Sequence, residues 1–170
     1  MKYYLLLAPA FFFLTACSST PVTTQVKHMP YGKVLSLAQE GNSEAIHTLC
    51  FRHIYGYDGA ARDYAKALNY CELATKNDNI NAYTLLAEMY FSGHGVKRDY
   101  VRANELYTFA AQRGHAHAQL MLFFIYDGGL GVAVDPSAAD YWLAQSLSRD
   151  YAKALEVFEH RAKEAAAGNI

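Results

Sequence analysis

The sequence predicts an all-α fold, a right-handed α-solenoid of helix-turn-helix repeats. Three observations lead to this prediction: an internal period of about 36 residues, two apolar stripes at helical spacing in each period, and glycines between the stripes. A chain of 170 residues, 52% of them apolar, is long enough to bury such a core. The net charge of -1 argues against a nucleic-acid-binding protein, which usually carries a clear basic excess.

The chain opens with a segment typical of a secretory signal. Lys2 is followed by an apolar run over residues 3–14, which is too short to span a bilayer as a helix. The run ends in Leu14-Thr15-Ala16-Cys17, which resembles the bacterial lipobox. That resemblance implies cleavage before Cys17 and lipidation of its thiol, and Ser18 in place of Asp implies transport to the outer membrane. An ordinary signal peptide with an incidental cysteine is the alternative.

These observations divide the chain into three parts. We predict a lipoprotein signal peptide over 1–16, a lipidated Cys17 with a flexible tether over 17–30, and a repeat domain over 31–170. The expected location is the cell envelope, anchored by lipid to the outer membrane and facing the periplasm.

Self-comparison of the remainder gives three copies in a gapless register. The most regular positions are one turn glycine and one aspartate per copy: Gly59, Gly95 and Gly131, with Asp63, Asp99 and Asp135. We place full repeats at 46–81, 82–117 and 118–153, with capping helices at 32–40 and 152–167. This organisation predicts seven or eight helices and no sheet.

The second copy shows how each unit reads as two helices. Gly93 and Gly95 stop the first helix, because glycine readily adopts the positive φ that a tight turn needs. Asp99 is the expected N-cap of the second helix, and Gly114 ends that helix. In the third copy Pro136 takes the favoured first helical position. The two apolar stripes of copy two are Ala82, Leu85, Leu86, Met89 and Tyr90, and then Ala103, Leu106, Tyr107, Ala110 and Ala111.

The motif of the second copy is similar to the Sel-1-like repeat, a relative of the tetratricopeptide repeat. The resemblance rests on Gly93-His94-Gly95-Val96, Asp99, Ala103, Leu106-Tyr107, Ala110-Ala111 and Gly114. It implies a helix-turn-helix solenoid and a binding role. Copy one departs from the motif at Tyr57 and Ala60. Where the two helices of a repeat cross, the family prefers a small residue, and Ala87 fits this preference whereas Phe51 and Phe123 do not.

The sequence offers little sign of catalysis. Motif searches find no Gly-x-Ser-x-Gly elbow, no phosphate-binding Gly-Lys-Ser/Thr loop and no His-Glu-x-x-His zinc helix. His115 and His117 are read as an exposed pair at a repeat junction, because their spacing does not suit shared metal ligation. We therefore predict no catalytic residues, no metal and no cofactor.

Cys50 and Cys71 stand at similar distances from the turn of the first hairpin, which makes them level in an antiparallel helix pair. An oxidising compartment favours a disulfide between them. Helix axes about 8–10 Å apart oppose it, since bridged Cα atoms lie within about 7 Å. The alternative is two buried thiols, and the sequence leaves both open.

The concave surface is the predicted binding face. Its candidate residues lie on each first helix, on the side opposite the apolar stripe, and they repeat with the same period. They are Thr48, Arg52 and Tyr55; Thr84, Glu88 and Phe91; Leu120, Phe124 and Asp127. Aromatic side chains and Arg exposed together are common in binding hot spots. The alternative is that these side chains pack against the tether or the caps.

Three functions follow from this reading. The leading one is a membrane-anchored scaffold or adaptor that binds a peptide or protein partner of the cell envelope through its concave face. The alternative is a periplasmic immunity or inhibitor lipoprotein that neutralises a secreted toxin. A β-lactam-binding or β-lactam-hydrolysing enzyme is the third, and the chain lacks the regular cysteine pairs of the repeat proteins described in that role.

Overall fold

The structure, a computed structural model, describes residues 26–167, and within that range it contains helices and no strand. The helices are α1 Tyr31–Gln39, α2 Ser43–Tyr55, α3 Tyr64–Lys76, α4 Ile80–Ser92, α5 Tyr100–Gln112, α6 Ala116–Gly128, α7 Pro136–Leu147 and α8 Ala152–Ala166. Each helix packs mainly on its neighbours in sequence, as expected for a solenoid of stacked hairpins. The all-α repeat fold predicted from the sequence is confirmed. None of the described helices is both long and apolar enough to span a bilayer.

Aspartates begin the second helix of each hairpin. The side chains of Asp63, Asp99 and Asp135 each accept a hydrogen bond from the backbone N–H three residues on, at 3.0, 2.9 and 3.0 Å. These bonds satisfy amides that a helix start otherwise leaves without a partner. Pro136 stands at the first position of α7. The N-cap predicted at Asp99 is confirmed, and the same chemistry serves all three hairpins.

The first helices end at glycines that reveal an inserted residue. Gly56, Gly93 and Gly129 all adopt left-handed φ, at 67°, 75° and 63°. The loop from Gly56 to Asp63 is one residue longer than the loop from Gly93 to Asp99. The gapless register predicted for the first helix of copy one is therefore wrong by one residue. Gly56 is the turn glycine of copy one, so Tyr57 does not stand in place of that glycine.

The corrected register explains how the first hairpin closes. Cys50, not Phe51, occupies the position of Ala87, and both are fully buried. A small side chain there lets α2 and α3 approach closely, and the Cα atoms of Cys50 and Cys71 lie 5.2 Å apart. The structure joins these two cysteines by a disulfide. The average helix spacing that opposed the bond does not apply at this crossing.

Turn glycines also let consecutive hairpins stack. A Cβ added at Gly95 would stand 2.7 Å from Cβ of Tyr64, the first residue of α3. At Gly131 an added Cβ would stand 2.8 Å from Cβ of Tyr100, the first residue of α5. Each turn therefore presses directly on the start of the preceding second helix, which is why the pattern repeats a glycine there.

The start of the described chain packs against the repeats. Val26 is fully buried, and the Arg52 guanidinium donates to the backbone oxygens of Lys27 and Met29. The prediction of a flexible tether over 17–30 is therefore wrong for residues 26–30, because buried contacts hold them. The predicted signal peptide and Cys17 lie outside the described residues.

Candidate functional site

A groove with a volume of about 470 Å³ is lined mainly by the first helices of the hairpins. The second residue of each of α2, α4, α6 and α8 lies along it: Glu44, Asn81, His117 and Lys153. The N-caps of these helices are Asn42, Asn79, His115 and Tyr151, which recur with the repeat. The helix predicted as a cap at 152–167 thus stands where the first helix of a further repeat would be.

The floor and one wall of the groove contain four of the predicted residues. Thr48 and Thr84 lie on its floor, each with only 4% of its surface exposed. Tyr55 and Glu88 form a wall, and the Tyr55 hydroxyl donates to both carboxylate oxygens of Glu88, at 2.8 and 2.9 Å. Burial, with the adjacent Glu88 carboxylate, raises the pKa of Tyr55. This wall is therefore fixed in place before any partner arrives.

Arg52 does not face the groove, contrary to the sequence-based expectation. Only 1% of its surface is exposed, and it forms a salt bridge with Asp58 and hydrogen bonds to Lys27 and Met29. In the corrected register Arg52 stands at the position of Met89, which is also buried. Its role in the structure is to hold the N-terminal segment.

The last three predicted positions, Leu120, Phe124 and Asp127, lie beneath or beside α8. Leu120 is 4% exposed and belongs to the apolar cluster that includes Ala154 of α8. Phe124 and Asp127 line a separate hollow with Arg161, also on α8. The helix covers this part of the concave face, which removes Leu120 from solvent.

Phe91 is half-buried and packs edge-on against Tyr100 and Tyr107, with ring centroids 5.2 and 6.5 Å away. It does not line the groove. Partner binding by the exposed members of the predicted set stays a prediction.

The one-residue error in register hid several groove residues. His47 and Phe51 of α2 face the groove in the places that the gapless register gave to Thr48 and Arg52. Glu44 faces it too, one turn before His47, where no residue was predicted. The signal that would have found them is the glycine spacing, which is 37 residues from Gly56 to Gly93 but 36 from Gly93 to Gly129.

Two histidines predicted to be exposed are half-buried in the groove. His115 caps α6 by accepting a hydrogen bond from Ala118 N–H at 3.3 Å, and His117 Nδ1 lies 3.1 Å from the Tyr151 hydroxyl. Burial lowers the pKa of both rings, and the nearby Lys153 ammonium adds to the effect at His117. Burial therefore favours the neutral form of both rings.

The groove presents groups suited to binding a peptide segment. The Asn81 amide both donates and accepts, as a peptide backbone requires, and Phe51 offers a partly exposed ring. Over residues 26–167, no cluster of three or more His, Cys, Asp or Glu side chains could hold a metal ion.

Comparison with known proteins agrees with this geometry. The Sel1 repeat model matches residues 43–79, 80–115 and 116–151, and these matches start at the first residues of α2, α4 and α6. A Sel1 repeat protein from Oxalobacter formigenes is 26% identical, with a TM-score of 0.68 over 72% of this chain and 92% of that one.

A second solved structure is a protective antigen of uropathogenic Escherichia coli strains that displays an SLR fold. It is 28% identical, with a TM-score of 0.63 over 66% of this chain and 24% of that longer one. No curated protein sequence matches the chain significantly. Three consecutive matches that cover most of the chain, together with the stacked hairpins, show that it belongs to the Sel1 repeat family.

Proposed function

We propose that this protein is a lipid-anchored scaffold that holds an extended peptide segment of an envelope protein in the groove of its first helices. Sel1 repeats are generally scaffolds for protein–protein interaction. The observation that carries the finer proposal is the groove itself, which extends over α2 and α4 to the first turns of α6 and α8.

The groove presents the chemistry that an extended segment needs. Asn81 is exposed at its centre, where its amide can pair with a peptide bond. The partly exposed ring of Phe51 supplies apolar contact, and Leu85, which is largely buried, also lines the groove. The Tyr55–Glu88 wall is already hydrogen-bonded, so a partner loses little entropy in ordering it.

Two independent features support the envelope location. The lipobox-like Leu14-Thr15-Ala16-Cys17 supplies an acceptor for lipid. The Cys50–Cys71 disulfide suits an oxidising compartment outside the cytoplasm. We expect Cys17→Ser to abolish incorporation of an alkyne-tagged fatty acid and Ser18→Ala to retain it. We also expect Ser18→Asp to move the protein to the inner membrane.

Photocrosslinking in living cells tests the groove. A photoreactive amino acid at Asn81 should give one dominant adduct, whereas the same amino acid at Asn69, an exposed asparagine of α3 outside the groove, should not. Phe51→Ala should weaken the adduct at Asn81 while circular dichroism shows an intact helical fold. Equal adducts at Asn81 and Asn69, or none at Asn81 in a folded and membrane-bound protein, would refute the groove as the binding surface.

The identity of the adduct also separates scaffold from inhibitor. A resident envelope protein supports the scaffold. A secreted toxin crosslinked at Asn81 would instead identify the protein as an immunity lipoprotein that uses the same groove.

A further inference from the structure

The residues along one edge of the groove change charge in a fixed order. The second residues of the first helices run from Glu44 through Asn81 and His117 to Lys153. This edge therefore begins with a carboxylate and ends with an ammonium, and Lys27, which precedes α1 and is hydrogen-bonded to Arg52 of α2, adds a second lysine to the groove lining. This order gives the two ends of the groove different charges, by which a bound peptide segment can be selected.

At the α2 end the carboxylates already have partners. Glu44 Oε1 lies 3.7 Å from Nδ1 of His47, and the attraction of this ring lowers the pKa of the Glu44 carboxyl. The Glu88 carboxylate accepts the hydrogen of the Tyr55 hydroxyl, which its two oxygens share. The negative groups of the groove are thus engaged within the protein.

Among the described residues, the ammonium and the two histidines at the α8 end have no such acidic partners. No ion pair among residues 26–167 involves His115, His117 or Lys153. The two histidine rings are 6.5 Å apart, and His117 contacts the hydroxyl of Tyr151. The starts of α6 and α8 meet here, and a helix N-terminus adds positive potential.

We propose that this end of the groove selects a segment with an acidic side chain lying over His117 and Lys153. The inference rests on the proposed function, because it names the kind of peptide that the groove takes. Helices pack about 10 Å apart, so a segment from Asn81 to Lys153 needs about six extended residues. The acidic residue is expected near one end of that stretch.

Acidic pH should strengthen this selection. His117 faces Lys153 and Tyr151 of α8, and His115 faces His117 and His47 of α2, whose other neighbour is Glu44. Burial and the neighbouring positive groups lower the pKa of His115 and of His117, so both become charged only below neutral pH. Affinity for an acidic peptide should therefore rise as pH falls.

Peptide display on the full chain in detergent tests the proposal. Random dodecapeptides are selected on the wild type, on Lys153→Glu and on Lys163→Glu, a matched charge reversal elsewhere on α8. Asn81→Trp, which fills the centre of the groove with a neutral ring, identifies the peptides that depend on the groove.

We expect groove-dependent peptides to be enriched in Asp and Glu at one position on the wild type and on Lys163→Glu, but not on Lys153→Glu. A synthetic acidic peptide should bind Lys153→Glu about fivefold more weakly than the wild type. It should also bind the wild type more tightly at pH 5.5 than at pH 7.5, and His117→Gln should reduce that difference.

Two other outcomes would separate a failure of this inference from a failure of the proposed function. Groove-dependent peptides with the same acidic content on Lys153→Glu would overturn this inference and leave the proposed function standing. Peptides that bind equally well to Asn81→Trp, or no enriched peptides at all, would overturn both.

Discussion

Replacing Arg52 by methionine should release the N-terminal segment while leaving the repeats folded. Arg52 is a buried cation at the position that Met89 fills in the next repeat, so methionine suits the surrounding core. Towards the N-terminal segment the variant loses the pair of hydrogen bonds to the backbone oxygens of Met29, at 2.7 Å, and Lys27, at 3.1 Å, and towards the loop it loses the bond to the Asp58 backbone oxygen. Asp58, the ionic partner, is 42% exposed and regains water.

The free energy that holds the N-terminal segment can be worked out from these hydrogen bonds. A hydrogen bond to a charged group contributes about 1.5–3 kcal/mol, and released carbonyls that regain water recover part of this. We take about 2–3 kcal/mol for the pair, which corresponds to about 30- to 150-fold easier local opening. Global stability should change by less than about 1.5 kcal/mol, since methionine refills the volume.

Trypsin measures the opening directly, because it cuts after Lys27, whose carbonyl Arg52 holds. We expect cleavage there to accelerate in Arg52→Met and not in Arg62→Met, an exposed arginine of the following loop. Urea unfolding reports global stability in parallel. Cleavage within about threefold of the wild-type rate would show that Val26, not Arg52, holds the segment.

Three further predictions concern stability. Replacing Cys50 and Cys71 together by alanine should lower the free energy of unfolding by about 3 kcal/mol in urea without reductant, given their sequence separation of 21; equal stability would show that the bond is absent in solution. His115 has a pKa lowered by burial, so the unfolded chain binds more protons below pH 6.5. Stability is thus full above pH 6.5 and falls as pH falls, and His115→Asn should keep the cap and lessen that fall in urea titrations. Gly95→Ala should cost about 2–4 kcal/mol, because φ is +75° and the new Cβ meets Tyr64. Gly41→Ala, with φ +84° but open space, should cost only about 1 kcal/mol, and equal losses would refute the stacking contact.

Much of the fold could be predicted because its signals are local. Asp99 begins a helix and Gly93 ends one through bonds that span four or five residues. The candidate site was harder to predict, because it depends on which side of a helix each residue faces. One extra residue before Asp63 shifts the predicted facing direction of every α2 side chain by about 100°. Arg52 was therefore predicted to face solvent, and Phe51 was predicted to lie where the two helices of the hairpin cross.

The sequence alone determined the repeat, the N-caps of the second helices and the all-α class, since caps, turn glycines and apolar periodicity act within one hairpin. Tertiary structure alone decided the contacts between distant segments. It brought Cys50 within bonding distance of Cys71, laid α8 over Leu120 and buried Arg52 under the backbone of Lys27 and Met29. The physical reason is that such contacts depend on how closely helices approach and on which segment covers which face. Those quantities are fixed by packing across the whole array, and no local pattern encodes them.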